Sequence, residues 1–181
     1  MEKLKSILVS LSALLLVLPL GGCQEHARLP YDYLATPFRV SLRWTVGSLI
    51  VLAEGEASPA SAEGAPWDVD LTLTSPKSLC GINVIRRDGA LSITYADLTL
   101  QKESFSALLD AVEPLLWESP VEGLCRDTLS GLDVLYGRRY SEDGVDFVEI
   151  YFDQKTGYPL LLRHGQTVLT VLHLQPIDSD T

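Results

Sequence analysis

The stretch "VEIYFDQKTGYPLLLRHGQTVLTVLHL", Val148 to Leu174, decides the architecture. Lys155-Thr156-Gly157 and His164-Gly165 cut it into apolar runs rich in β-branched and aromatic residues, which read as strands over Phe147 to Phe152, Tyr158 to Arg163 and Thr167 to Leu174. Joints this short return the chain antiparallel to itself, so the runs form a meander. A fourth strand, Leu132 to Arg139, enters through Glu142-Asp143-Gly144.

Upstream the same period recurs. Phe38, Val40, Leu42, Trp44 and Val46 alternate with Arg39, Ser41, Arg43 and Thr45, the pattern of a half-buried strand. Gly47-Ser48 turns it back into Leu49 to Glu56. After the loop-like "ASPASAEGAP" comes "WDVDLTLT", with Trp67, Val69, Leu71 and Leu73 on one face and Asp68, Asp70, Thr72 and Thr74 on the other. Two further strands meet at Asp88-Gly89, a dipeptide suited to the positive φ angles of a tight hairpin. The apolar phase is odd at Leu91, Ile93 and Tyr95 and even at Leu98 and Leu100, so a bulge or bend is expected near Ala96-Asp97.

Helical periodicity is confined to "SFSALLDAVEPLLW". Ser104 is placed to cap it, and Phe105, Leu108, Leu109, Val112, Leu115 and Leu116 form one stripe. Pro114 should end or kink it. The expected class is α+β, mainly β: a curved antiparallel sheet with one main helix on its concave face. The last strands are apolar on both faces at Phe147 to Phe152, Leu160 to Leu162 and Val168-Leu169, so something must cover the second face. A packed protein core and a bound apolar ligand both meet that need. In the ligand case Phe105, Leu108, Leu109, Val112 and Leu116 line the site.

The N-terminus tells where the chain works. Lys3 and Lys5 precede an apolar core from Ile7 to Leu20 and the small pair Gly21-Gly22, the order of a secretory signal. The core is shorter than the roughly 20 apolar residues that a spanning helix needs. Leu20-Gly21-Gly22-Cys23 resembles the bacterial lipobox, which implies cleavage before Cys23 and its acylation with palmitate-like chains. Acyl chains contribute about 0.8 kcal/mol per buried CH₂, enough to hold the chain on the extracytoplasmic face of the cell membrane without a spanning segment.

Loss of the signal removes two lysines and one glutamate, making the formal charge of −10 more negative by one. Such a surface repels phosphates, which argues against nucleic acid as a partner. The remaining cysteines, Cys80 and Cys125, enter a compartment where disulfides form. A bridge between them and a pair of buried free thiols are both open readings.

Taken together, the export signal, the lipobox, "TPFRVSL", "LTLTSPKSLCGINVIRRDGALSITYADLTL", the helix and the closing strands resemble small bacterial lipoproteins of LolA-like fold, akin to the germination-associated GerS type. The Asp-x-x-Thr-Gly-Tyr-Pro turn from Asp153 to Pro159 is similar to one found in carriers of that group. The resemblance implies an unclosed β-barrel that binds an apolar or lipid-like ligand, or an interaction or scaffold lipoprotein, for example in spore germination or envelope maintenance, with a filled core. The expected layout is a signal at 1–22, a lipidated N-terminus and tether at 23–35, one LolA-like domain at 36–176 and a tail at 177–181. His26, His164 and His173 fall in no catalytic or metal-ligand spacing, so neither an enzyme nor a cofactor is expected. Asp68 and Asp70 share a face in the manner of a glycosidase pair, but read as the solvated side of a strand. Glu149, set among apolar strand residues, is a carboxylate whose burial matters.

Overall fold

The computed structural model describes residues 29–61, 64–96, 98–100, 111–116, 121, 123–140 and 146–177. They form an antiparallel sheet of eleven strands: β1 (Phe38–Val46), β2 (Leu49–Ser58), β3 (Asp68–Ser75), β4 (Ile82–Arg87), β5 (Ala90–Tyr95), β6 (Leu98–Leu100), β7 (Cys125–Leu129), β8 (Leu132–Tyr140), β9 (Phe147–Asp153), β10 (Pro159–His164) and β11 (Thr167–Pro176). The spatial order is β6-β5-β4-β3-β2-β1-β11-β10-β9-β8-β7. Two meanders, β1 to β6 and β7 to β11, are therefore zipped together where the first strand meets the last. That seam runs from Phe38 opposite Pro176 to Val46 opposite Thr167. An irregularity between Ser41 and Leu42 skips Leu172, which explains why this strand leucine is exposed.

Local chemistry accounts for the turns. Asp88 and Gly89 both take positive φ, 47° and 80°, between paired Arg87 and Ala90, the geometry in which a two-residue loop follows the twist of its strands. In the Asp153 to Pro159 turn, Asp153 Oδ1 accepts from the Lys155 and Thr156 amides at 2.8 and 2.7 Å and from the Thr156 hydroxyl at 3.1 Å. This Asx arrangement satisfies amides that the strands cannot reach.

Register fixes two faces. Paired positions Leu42, Ala53 and Leu73, and likewise Ile150, Leu162 and Leu169, point to the inner face and join one buried cluster. Ser41, Glu54, Thr72 and Asn83 share the outer face. β6 and β7 stand at opposite ends of the order and do not pair, so the sheet stays open.

Three findings depart from the sequence expectations. The expected bend at Ala96 is a complete hairpin: Ala96 takes φ 52° and Tyr95 pairs with Leu98. β7 is an additional strand, unexpected because "CRDTL" carries no alternating apolar residues and lies exposed at the sheet edge. The α+β class with one main helix over Phe105 to Leu116 is overturned: among the described residues no helix reaches seven residues, and the class is antiparallel β. Ala111 and Val112 are helical, Glu113–Leu116 is a 3-10 turn, and residues 101–110 lie outside the described ones. Pro114 gives the physical reason for the tightened turn, since it offers no N–H to the carbonyl four residues back and crowds the turn before it. No helix among the described residues is long and apolar enough to cross a membrane.

Candidate binding face

The inner face is where the expected site residues meet. The chain leaves β6 at one edge of the sheet and must reach β7 at the other, and residues 111–116 and Val121 are the described part of that crossing. Val112, Leu115, Leu116 and Val121 are buried in the same cluster as Phe38, Leu71, Ile150 and Phe152. Of the five proposed ligand contacts, Val112 and Leu116 thus sit in packed core, while Phe105, Leu108 and Leu109 lie outside the described residues, as does Cys23. Gly137 makes room for the crossing: a Cβ there would meet Val121 Cγ1 at 2.6 Å and Leu124 Cδ2 at 2.8 Å.

Arginine and tyrosine side chains fasten this strap to the inner face. Arg86, which shares the inner register of Val84, donates from Nη1 to Glu113 and from Nε to the Trp67 carbonyl at 2.9 Å. Its Nη2 is buried with no hydrogen-bond partner among the described residues. From the opposite side of the core, Tyr33 Oη donates to the Leu115 carbonyl at 2.5 Å, and Tyr31 Oη accepts from the Val121 amide at 3.2 Å. Both tyrosines belong to the short Asp32–Ala35 3-10 turn and its N-cap, directly before β1. Tyr33 is only 2% exposed and packs edge-on against Phe38, while Tyr31 meets Phe152 with ring centroids 4.9 Å apart. Burial pushes the Tyr33 phenol far above its ordinary pKa, with the neighbouring Tyr31 adding to it, so Tyr33 remains a donor at every working pH. Within residues 31–35, Tyr33 is buried in the core cluster and Tyr31 and Leu34 pack against it. The signal that could have drawn them inward is the tyrosine alternation of "YDYLATPF", which leads straight into the inner-facing Phe38.

Among the described residues a small void of about 20 Å³ lies beside Ala111, Pro114, Val148, Leu162 and Leu169, room for roughly one water. Drug-sized ligands need about 300 Å³ or more. A larger hollow of about 410 Å³ lies open on the outer face, where Arg39, Ser41, Glu54, Glu56, Thr72 and His173 contribute side chains to its lining.

The outer face also answers what covers the doubly apolar strands. Tyr151, 9% exposed, lies under the Tyr136 ring at 4.9 Å and the Arg163 guanidinium at 5.7 Å. Glu149 is partly buried between them and accepts from Tyr136 Oη at 2.8 Å and from Arg138 Nη2 at 2.9 Å. Cys80, in the turn before β4, and Cys125, at the start of β7, are free, and both are exposed rather than buried. Among the described residues no group of three or more His, Cys, Asp or Glu side chains could hold a metal ion.

No family model and no curated protein matches the chain. Among solved structures the fold is similar to that of an uncharacterised conserved protein from Thermus thermophilus, with TM-score 0.52 and 14% identity over 81% of this chain and 82% of that one. Weaker similarities are to MucB in complex with MucA(peri), with TM-score 0.48 and 18% identity over 82% of this chain and 53% of that one, and to a LolA superfamily protein from Nitrosomonas europaea, with TM-score 0.37 and 12% identity over 85% and 90%. The chain spans about half the length of MucB. Identities this low speak for the fold alone.

Proposed function

We propose that this chain is a non-enzymatic lipoprotein of LolA-like fold, anchored through acylated Cys23 on the extracytoplasmic face of the cell membrane, and that it acts as an interaction or scaffold protein. The observation that carries the reading is the packed inner face. Tyr33, Val112, Leu115 and Leu116 are buried in one cluster with Ile150, Phe152, Leu162 and Leu169 of the inner face, and the void beside the neighbouring Ala111 and Pro114 holds about 20 Å³. The chain's own side chains thus meet the need to cover the inner apolar residues of β9 to β11.

A carrier of an apolar or lipid-like ligand is the second reading. It is favoured by the open sheet, whose edges β6 and β7 do not pair, and by the short segments that close the described part of the inner face. Native mass spectrometry of the full chain, released gently from its membrane, separates the two. Under the first reading it shows the acylated chain with no small apolar companion, and titration with N-phenylnaphthylamine gives no saturable binding. One tightly held apolar molecule per chain, or saturable probe uptake, replaces the first reading with the second.

A further inference from the structure

We infer that Tyr31 and the Asp32–Ala35 turn form a displaceable latch on the 111–116 strap, so that the segment leading to the N-terminus and the inner face of the sheet open and close as one unit. The latch is held by side chains rather than by strand pairing. It belongs to no strand, and its backbone bonds from Asp32 N to Leu29 O and from Leu34 N to Tyr31 O are local. Among the described residues, what ties it to the rest of the molecule is ring packing, the burial of Tyr33 and Leu34 against the core, and two long-range bonds at Leu115 and Val121, 82 and 90 residues away in sequence.

The closed position is also strained. Tyr31 holds φ at 77°, in the left-handed region that a bulky side chain rarely adopts, and release of the turn relieves it. On the far side of the strap, Arg86 holds Glu113 while its own Nη2 is buried and, among the described residues, unsatisfied. Sharing one strap lets the two fastenings couple, and any factor by which one loosens the other is reciprocal. Tyr31 is the first of the latch residues met along the chain from Cys23, so tension on an anchored end would act on it before Tyr33. That membrane link rests on the anchored reading, whereas the latch itself does not.

Hydrogen exchange of the full chain, followed by mass spectrometry, tests the coupling in both directions. Tyr33→Phe keeps the ring and its packing but removes the bond to Leu115, and exchange of the Leu115 and Leu116 amides should rise roughly three- to tenfold, the opening shift that one net hydrogen bond implies. Glu113→Gln removes the ion pair with Arg86, and exchange at Leu34 should rise through the shared strap. Amides in β10 and β11 should keep their wild-type rates in both variants. A strap unaffected by Tyr33→Phe, a turn unaffected by Glu113→Gln, or a uniform rise across all strands would overturn the latch. None of these readouts depends on acylation, so failure of the latch and failure of the anchored reading are told apart.

Discussion

Tyr136 Oη donates to Glu149 Oε1 at 2.8 Å, diagonally across the β8–β9 pair, and Arg138 reaches the same oxygen with Nε and Nη2. Burial by itself would raise the Glu149 carboxyl, but these hydrogen bonds and the charges of Arg138 and Arg163 outweigh it and hold the pKa below the ordinary value. Protonation is then harder in the folded than in the unfolded chain. The group contributes stability above its unfolded pKa, and that contribution fades as pH falls through the folded value. Glu149→Gln should therefore lower the denaturant midpoint near pH 7 and leave it close to wild type near pH 3. A gap of constant size across that range would show that the carboxylate charge is irrelevant.

Gly55 is predicted to be intolerant of any side chain. A Cβ there would come within 1.8 Å of the Asp70 carbonyl oxygen and 2.9 Å of Leu71 Cα, both backbone atoms of the adjoining β3. Gly55→Ala should cost about 3 kcal/mol or more in urea denaturation. Gly165→Ala is the contrast: nothing lies within 4 Å, and only the φ of +56° opposes it, so the expected loss is about 1 kcal/mol. Equal losses at the two sites would contradict the close β2–β3 approach.

Leu116 should behave as a core residue. At 5% exposed within the main cluster, its truncation to alanine is expected to cost about 2–5 kcal/mol. A loss well under about 1 kcal/mol, with apolar-probe binding weakened in the same variant, would mean that the side chain lines a ligand space.

Anchoring is checked in cells. Cys23→Ala should leave an uncleaved precursor or move the protein out of the membrane fraction, because the acyl chains that hold it there are gone. Processing and fractionation identical to wild type would rule the lipobox out.

Both remaining thiols should react in the native protein. Cys80 and Cys125 are free and exposed, so iodoacetamide should alkylate the two at comparable rates without prior reduction. A linked peptide pair in non-reducing mass mapping would establish the bridge instead.

Much of the sheet was legible because strand character is written locally. "WDVDLTLT" placed Val69, Leu71 and Leu73 on one face, and all three are buried as read. Asp88-Gly89 marked its hairpin for an equally local reason, the positive φ that both residues adopt. β7 was invisible because its five residues lie at an edge, where no buried face imposes alternation. The stripe ending at Leu116 reads as helix from spacing alone; Pro114 changes the local geometry, while the apolar residues themselves find the core all the same. Of the packed inner face, Val112 and Leu116 were legible as apolar, whereas the contacts of Tyr31, Tyr33, Arg86 and Glu113 were not. A buried phenol and a paired arginine look like any other polar residue until their partners are known.

By itself, then, the sequence determined the alternation and most of the turns, because side-chain period and backbone dihedrals are properties of neighbouring residues. It also carried the charged, apolar and small-residue order that reads as an export signal. Only the tertiary structure decided that β1 pairs with β11 and that Tyr33 reaches Leu115. Those contacts join residues far apart in the chain. They form only when the summed burial of the whole core offsets the entropy of closing long loops, a balance that no short stretch of sequence records.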